Sequence, residues 1–324
     1  MRAVVARGDA RVELSQLPAE SFDGLLCDPP YGIDLMRVGW DSGVPPVSVW
    51  REALRVLKPG AFGFVACGTR TQHRMIVNVE DAGFEVRDVL AWVHASGFPK
   101  GSNISRALDK RAGAVRRVVS ARKGRTGKAG RAEGVYITPG FAWPGEYEVT
   151  EPATANAWRW DGYDTVLRPS MELWTLVRKP TVSGPLARNV EAHDVGGLNI
   201  KGGMIPGEDM SRWPGNVTHD GSSVVTELFP NGASKFFYCA KAGREERELA
   251  GGHPSVKPQA LLRHLATLLL PPNDVERRLL VPFCGSGSEM IAGLSVGWAF
   301  AWGAEIVEEY AIAARERLAK AALS

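Results

Sequence analysis

Asp28-Pro29-Pro30-Tyr31 gathers a carboxylate, a rigid backbone carbonyl and an aromatic ring into four residues, directly after the apolar run Phe22 to Cys27. That run reads as a strand and Gly32 follows the turn, so the tetrad is expected at the carboxyl end of a strand. Open α/β sheets hold their ligands at that edge. Acid, carbonyl and ring together suit one task, gripping the amino group of a flat nitrogen heterocycle. Such an amine is a poor nucleophile because its lone pair is delocalised into the ring. With the Asp28 carboxylate and the Pro29 carbonyl accepting its two N–H bonds, the nitrogen can pyramidalise and direct that lone pair at a methyl donor. Preorganised acceptors of this kind act through the charge that develops during transfer. Tyr31 would stack on the heterocycle, a contact worth roughly 1–3 kcal/mol per base.

A second constellation lies near the other end. Pro282-Phe283-Cys284-Gly285-Ser286-Gly287 follows an apolar stretch and opens a helix, and Glu305 closes the next strand. Gly285 and Gly287 let backbone amides approach a ligand at the helix start, and an acid at Glu305 suits a ribose diol. A dinucleotide dehydrogenase presents similar geometry, with its acid about 20 residues on, but wants a third glycine where this chain has Met290. The glycine pair by itself also fits a turn made only for packing. The six histidines do not cluster at ligand spacing, so no metal is expected.

The elements that must carry these residues follow from apolar patterning. Ala3 to Ala6, Phe22 to Cys27, Ala61 to Cys67, a stretch from Gly83-Phe84 towards Trp92 and His94, Leu173 to Val177, Leu279 to Phe283 and Trp298 to Glu305 make a set of seven strands. Val49 to Leu57 reads as an amphipathic helix stopped by Lys58-Pro59-Gly60, and Arg70 to Ala82 as another. From Pro258 the stripe Leu261, Leu262, Leu265, Leu268 and Leu269 marks a third helix, ended by Pro271-Pro272. Strands alternating with helices imply a largely parallel sheet covered on both faces. Phe98 to Pro169 and Pro180 to Ser234 lack sustained periodicity and read as insertions carrying recognition loops.

At 324 residues the chain can hold a large α/β domain with a substantial insertion. Its apolar runs are of strand length, so no membrane span is expected. Cys27, Cys67, Cys239 and Cys284 stand alone, without zinc or disulfide spacing, which points to a reduced, cytoplasmic compartment. The net charge of +3 hides an asymmetry, because residues 110 to 131 carry nine positive charges and no acid, leaving the remainder at −6. A basic segment on an acidic body points to a polyanionic partner, most simply nucleic acid, with a solvated charged loop as the alternative.

With both motifs in this order, the chain resembles the β-class amino-methyltransferases of DNA, in which the catalytic turn precedes the cofactor loop. Matching segments cover nearly all of it. Trp92, Gly97 to Gly101 and Asp109-Lys110 are similar to phage-borne members, as are Glu172 to Pro180, Arg212 to Asn216 and Phe237 to Lys241. His253 to Pro258 resembles the segment before the cofactor loop. Many members carry an aspartate where this chain has Val281. The resemblance implies a Rossmann-like, seven-stranded methyltransferase sheet with circularly permuted motif order, cut before the strand ending at Asp9. It implies catalytic and cofactor halves at 1–99 and 236–324, a basic DNA-binding insertion at 100–168, a sheet strand at 169–179 and a target-recognition region at 180–235.

It also implies S-adenosylmethionine as cofactor. Phe283, Cys284, Gly285, Ser286, Gly287 and Glu305 would hold adenosine with Asp9, and Ser255, Lys257 and Asp28 would lie towards the methionine end. The implied partner is double-stranded DNA, and the base must leave its duplex to reach the turn. Arg116, Arg117, Arg122 and Lys123 would contact phosphates, with Trp158, Trp160, Arg212 and Trp213 as recognition residues. Asp28 favours adenine N6 over cytosine N4, because relatives acting on cytosine more often carry serine there. C5-cytosine chemistry is disfavoured, since no Pro-Cys pair supplies its nucleophile. A homodimer and a restriction endonuclease partner are both compatible with the sequence, and an inactive DNA-binding relative is the competing outcome.

Overall fold

The computed structural model describes residues 2–33, 39–94, 101–123, 131–132, 135–136, 146–182, 184–205, 212–227, 237–239, 256–272 and 276–322. They form two compact units, one of residues 1–93 with 171–324 and one of residues 94–170.

The larger unit is built on one sheet. Its strands are β1 (Arg2–Arg7), β2 (Phe22–Cys27), β3 (Leu57–Gly68), β4 (Glu85–Val93), β9 (Met171–Arg178), β10 (Val217–His219), β11 (Phe237–Tyr238), β12 (Arg278–Val281) and β13 (Phe300–Glu305); β5 (Val118–Lys123), β6 (Arg131–Ala132), β7 (Val135–Tyr136) and β8 (Glu146–Thr150) belong to the smaller unit. The order across the large sheet is β1-β13-β12-β2-β3-β9-β4-β10-β11. Every pairing is parallel except those of β9, which runs antiparallel between β3 and β4. The seven strands read from the sequence run from β1 to β4, and the short β10 and β11 extend that edge.

The boundary at Lys58 differs from expectation. Lys58-Pro59-Gly60 does not form a loop after the helix Val47–Val56, because β3 begins at once with Leu57. Pro59 is tolerated there because the pairing with β2 is irregular, its register shifting between Phe22 and Gly24. Gly60 takes a positive φ of 83°, and its amide donates to the Lys179 carbonyl.

Burial on both faces explains the strand composition. All six residues of β2 are buried, as parallel strands covered on two sides require. Leu26 joins a core with Leu261, Leu262 and Leu265 of the helix Gln259–Leu269 and with Ala311 and Ala314 of the helix Glu308–Ala321. Leu25 and Cys27 face the opposite core, made with Trp50, Ala53, Met75 and Val79 of the helices Val47–Val56 and Gln72–Asp81. The last helix leads back to the first strand. Arg315 Nη2 donates to the Val5 carbonyl at 2.9 Å, and β1 pairs with β13 in register Arg2 with Phe300 through Arg7 with Glu305.

In the smaller unit, β5 and β8 form an antiparallel ribbon beside the helices Ile104–Arg111 and Ala155–Arg159. Its hub is buried Asp109, which accepts from the Ala153 and Thr154 amides at 3.0 Å and the Thr154 hydroxyl at 2.8 Å.

Candidate functional site

The strand order brings the two motifs side by side. β12 lies between β13 and β2, all parallel, so the turns after these strands share one edge of the sheet. Along that edge follow Gly8 and Asp9 after β1, Glu305 at the end of β13, Phe283 to Gly287 after β12 and Asp28 to Tyr31 after β2. Antiparallel β9 begins at the same edge, where Glu172 pairs with Gly68 of β3.

A cavity of about 460 Å³ opens there, within the roughly 300–1,000 Å³ of small-molecule sites. Asp28, Pro29, Pro30 and Tyr31 line it together with Phe283, Cys284, Gly285 and Ser286, and Asp9 and Glu305 line it too. The loop Trp40 to Pro46 completes the wall. It is fastened by buried Asp41, whose Oδ1 accepts from the Gly32 amide at 2.9 Å. Gly32 has φ +65°, and a Cβ there would lie 2.7 Å from the Val44 nitrogen. Only glycine lets the turn and this loop approach so closely.

The glycine loop is tightly braced. Gly285 and Gly287 take φ of 48° and 82°. The Gly287 amide donates to the Cys284 carbonyl at 2.7 Å, and the Cys284 amide to the Ala304 carbonyl at 2.9 Å. From the last helix, Arg317 Nη1 donates to the Ser286 carbonyl at 2.6 Å, the Ser286 hydroxyl at 2.8 Å and the Ser288 hydroxyl at 3.1 Å. Burial pushes the Glu305 carboxyl up, against the amides of Val307, Gly285 and Ile306, which stabilise its charge. Asp9 caps its own helix by accepting from the Arg11 amide at 2.9 Å.

Around the acidic turn the side chains form a charged cluster. Tyr31 Oη donates to Asp28 Oδ1 at 2.8 Å, and Thr71 Oγ1 donates to the Tyr31 carbonyl at 2.6 Å. Lys257 Nζ lies 3.1 Å from Asp28 Oδ2, 3.0 Å from Glu172 Oε2 and 5.1 Å from the centre of the Tyr31 ring. Burial alone would lower the Lys257 ammonium, but Asp28 and Glu172 outweigh it and hold it well above its ordinary value. Burial raises the Asp28 carboxyl and Lys257 opposes that rise. Beside them Glu289, 5 % exposed on the first turn after the glycine loop, is pushed up to about 8 by burial and then by the charge of Asp28.

Lys257, expected near the methionine end of a cofactor, sits 4 % exposed between two carboxylates, one of them Asp28 of the cavity wall. Arg116, expected on phosphates, is turned inward, because buried Asp109 at 2.8 Å needs its charge and Ser105 and Thr150 take its remaining donors. Arg117 pairs with Glu151 at 2.6 Å on the surface. Arg122 and Lys123 lie in β5, and Trp158, Trp160, Arg212 and Trp213 are exposed. Ser255 lies outside the described residues, as do the side chains of Arg122 and Lys123. Sequence reasoning missed Glu172, Glu289, Thr71 and Arg317 as parts of the site. The signal for the first two was a lone acid, at the head of an apolar strand in one case and just past the glycines in the other.

No family model matches the sequence. The Type II methyltransferase M.HindIII of Haemophilus influenzae is 22 % identical over 334 residues, covering 89 % of this chain and 86 % of that protein. Among solved structures, the PvuII DNA methyltransferase, described as cytosine-N4-specific, is 14 % identical with a TM-score of 0.54 over 98 % of this chain and 86 % of that one. The chain has the Rossmann-like methyltransferase fold. The M1.HpyAVI–SAM complex matches with a TM-score of 0.50 at 14 % identity over 98 % of both chains. No described helix is long and apolar enough to cross a membrane.

Proposed function

We propose that this protein is an S-adenosylmethionine-dependent DNA methyltransferase of the β-class motif order, acting on the N6 amine of an everted adenine. The observation that carries the reading is the shared cavity: the acidic turn and the glycine loop both line one space. The similarity to M.HindIII over most of both chains supports the same class.

The residues present fit the cofactor. Gly285, at φ 48°, lines the cavity and brings no side chain to its wall. Phe283, Ile306 and Tyr310 offer apolar surface for adenine, and Glu305 offers an acceptor for a ribose diol. When bound, S-adenosylmethionine supplies a methyl group on a sulfonium and leaves as a neutral thioether, keeping the C–S bonding pair.

The chain's own residues prepare the amine. Asp28 and the Pro29 carbonyl accept its two N–H bonds and free its lone pair for the new N–C bond. As positive charge builds on nitrogen, the Asp28 carboxylate stabilises it. The surplus proton passes from nitrogen to Asp28 and then to water. Asp28 in place of serine supports adenine over cytosine.

The test incubates unmethylated DNA with labelled S-adenosylmethionine and identifies the modified nucleoside after digestion. N6-methyladenine is expected; N4-methylcytosine would replace the adenine assignment. Asp28→Ala should lower the rate by about 10²–10³ or more while DNA retention at low salt persists. Transfer surviving at the wild-type rate would remove Asp28 from the mechanism.

A further inference from the structure

Methyl transfer as proposed needs Asp28 to be a strong acceptor, yet the structure sets an ammonium against it. Lys257 Nζ is 3.1 Å from Asp28 Oδ2 and almost wholly buried. A carboxylate paired so closely with a cation has lost much of its pull on a neutral N–H donor. Glu172 changes that balance. Its Oε2 takes the same ammonium at 3.0 Å, and it also lies 3.5 Å from the Tyr31 hydroxyl that Asp28 holds. Asp28, Glu172 and Lys257 together therefore carry a net charge of −1, with one cation divided between two anions.

We propose that Glu172 is a positioning residue that shares Lys257 with Asp28, and so keeps the Asp28 carboxylate a strong acceptor correctly aimed at the target amine. This rests on the methyl-transfer reading above.

The placement of the three side chains supports an indirect role. Asp28 and Tyr31 line the cavity, whereas neither Lys257 nor Glu172 does. Glu172 reaches the cluster because β9 runs antiparallel, so its first residues arrive at the edge where β2 and β3 end. A parallel strand would bring its last residues there instead. The partner opposite Glu172 is Gly68, where a Cβ would stand 3.3 Å from the Tyr31 ring. The space beside the acid is thus kept for the ring that Lys257 covers.

The electrostatics run the same way. Nitrogen becomes positive as its lone pair forms the N–C bond, and an anionic cluster favours that change far more than a neutral ion pair. The effect is strongest where water is scarce. The titratable groups facing Asp28 are Lys257, Glu172, Tyr31, Glu289 and the thiols of Cys27 and Cys67. Of these, Glu172 raises the Asp28 carboxyl and Lys257 lowers it. Removing Glu172 should leave Asp28 a weaker base.

The experiment compares wild type, Glu172→Gln and Glu172→Asp in three measurements. Labelled methyl transfer to unmethylated DNA gives kcat, calorimetry gives affinity for S-adenosylmethionine, and NMR of isotope-labelled aspartate carboxyls follows Asp28, assigned through Asp28→Asn. Glu172→Gln should lower kcat by about 10- to 100-fold with cofactor affinity within about twofold, and Glu172→Asp should recover part of the rate. The Asp28 carboxyl should titrate at lower pH in Glu172→Gln than in wild type. An unchanged Asp28 titration, an unchanged kcat, or a loss of cofactor affinity matching the loss of rate would overturn the proposal while an active wild type keeps the methyltransferase reading. A wild-type protein inert on DNA would remove both.

Discussion

Tyr31 Oη donates to Asp28 Oδ1 across 2.8 Å, so the ring of the motif is tied to the acid of the same motif. The sequence suggests two separate tasks, stacking for the ring and accepting for the acid. The hydrogen bond joins them, because a ring that tilts must release or drag the carboxylate. Tyr31→Phe keeps the apolar ring and removes the tether. A hydrogen bond to a charged group is worth about 1.5–3 kcal/mol, so kcat should fall by roughly 10- to 100-fold with DNA affinity little changed. Tyr31→Ala should in addition weaken binding of DNA by roughly 1–3 kcal/mol, since no ring remains to stack on the base. Filter-binding and single-turnover rates on both variants distinguish the two effects: Tyr31→Phe at the wild-type rate would show that the hydroxyl does nothing, and equal behaviour of Phe and Ala that the ring adds nothing.

Arg317 reaches the glycine loop from the last helix and donates to three oxygens of Ser286 and Ser288. The loop between β12 and its helix is short and has two left-handed glycines, so its shape depends on outside support. Arg317→Met keeps the aliphatic stem and removes the donors. KM for S-adenosylmethionine should rise about tenfold or more, with a smaller change in kcat. Steady-state kinetics at varied cofactor concentration check this. A variant with normal KM and reduced kcat would place the arginine's influence elsewhere.

Glu289 ties stability to pH. Burial and then Asp28 push its carboxyl up to about 8 from the ordinary 4.5. The native state therefore holds a proton that the unfolded chain releases at lower pH. Its contribution to stability is complete below the unfolded value and is lost as pH rises through the folded one. Thermal unfolding followed from about pH 5 to about pH 9 should show stability declining across roughly this window, and Glu289→Gln should flatten the decline. A profile identical in both proteins would mean that Glu289 is ionised in the fold.

The strands and the two motifs were legible because their signals are local. Phe22 to Cys27 is apolar almost throughout and ends in prolines, and its strand boundaries match the structure residue for residue. The helix Gln259–Leu269 follows from its leucine spacing. What stayed hidden depends on pairing between distant segments. Nothing near Glu172 reveals that β9 runs against its neighbours, and only that direction brings the acid to Lys257. Charge counting likewise treats Arg116 and Arg122 alike. The partner that turns Arg116 inward, Asp109, lies seven residues before it on a helix whose burial is set by the fold.

The basic segment is testable residue by residue. A lysine or arginine that neutralises a phosphate contributes about −0.9 to the slope of log affinity against log salt. Arg122→Ala with Lys123→Ala should therefore weaken binding to all DNA sequences and flatten the slope, by about 0.9 for each phosphate no longer neutralised. Arg116 should behave differently, since its guanidinium is occupied by Asp109, Ser105 and Thr150. Arg116→Met strands the buried Asp109 charge, so it should lower the unfolding temperature and leave the salt slope unchanged at temperatures where the fold persists. Binding titrations between low and moderate salt, paired with thermal melts, read both quantities. A flattened slope for Arg116→Met in a stable protein would return that arginine to the DNA-facing surface.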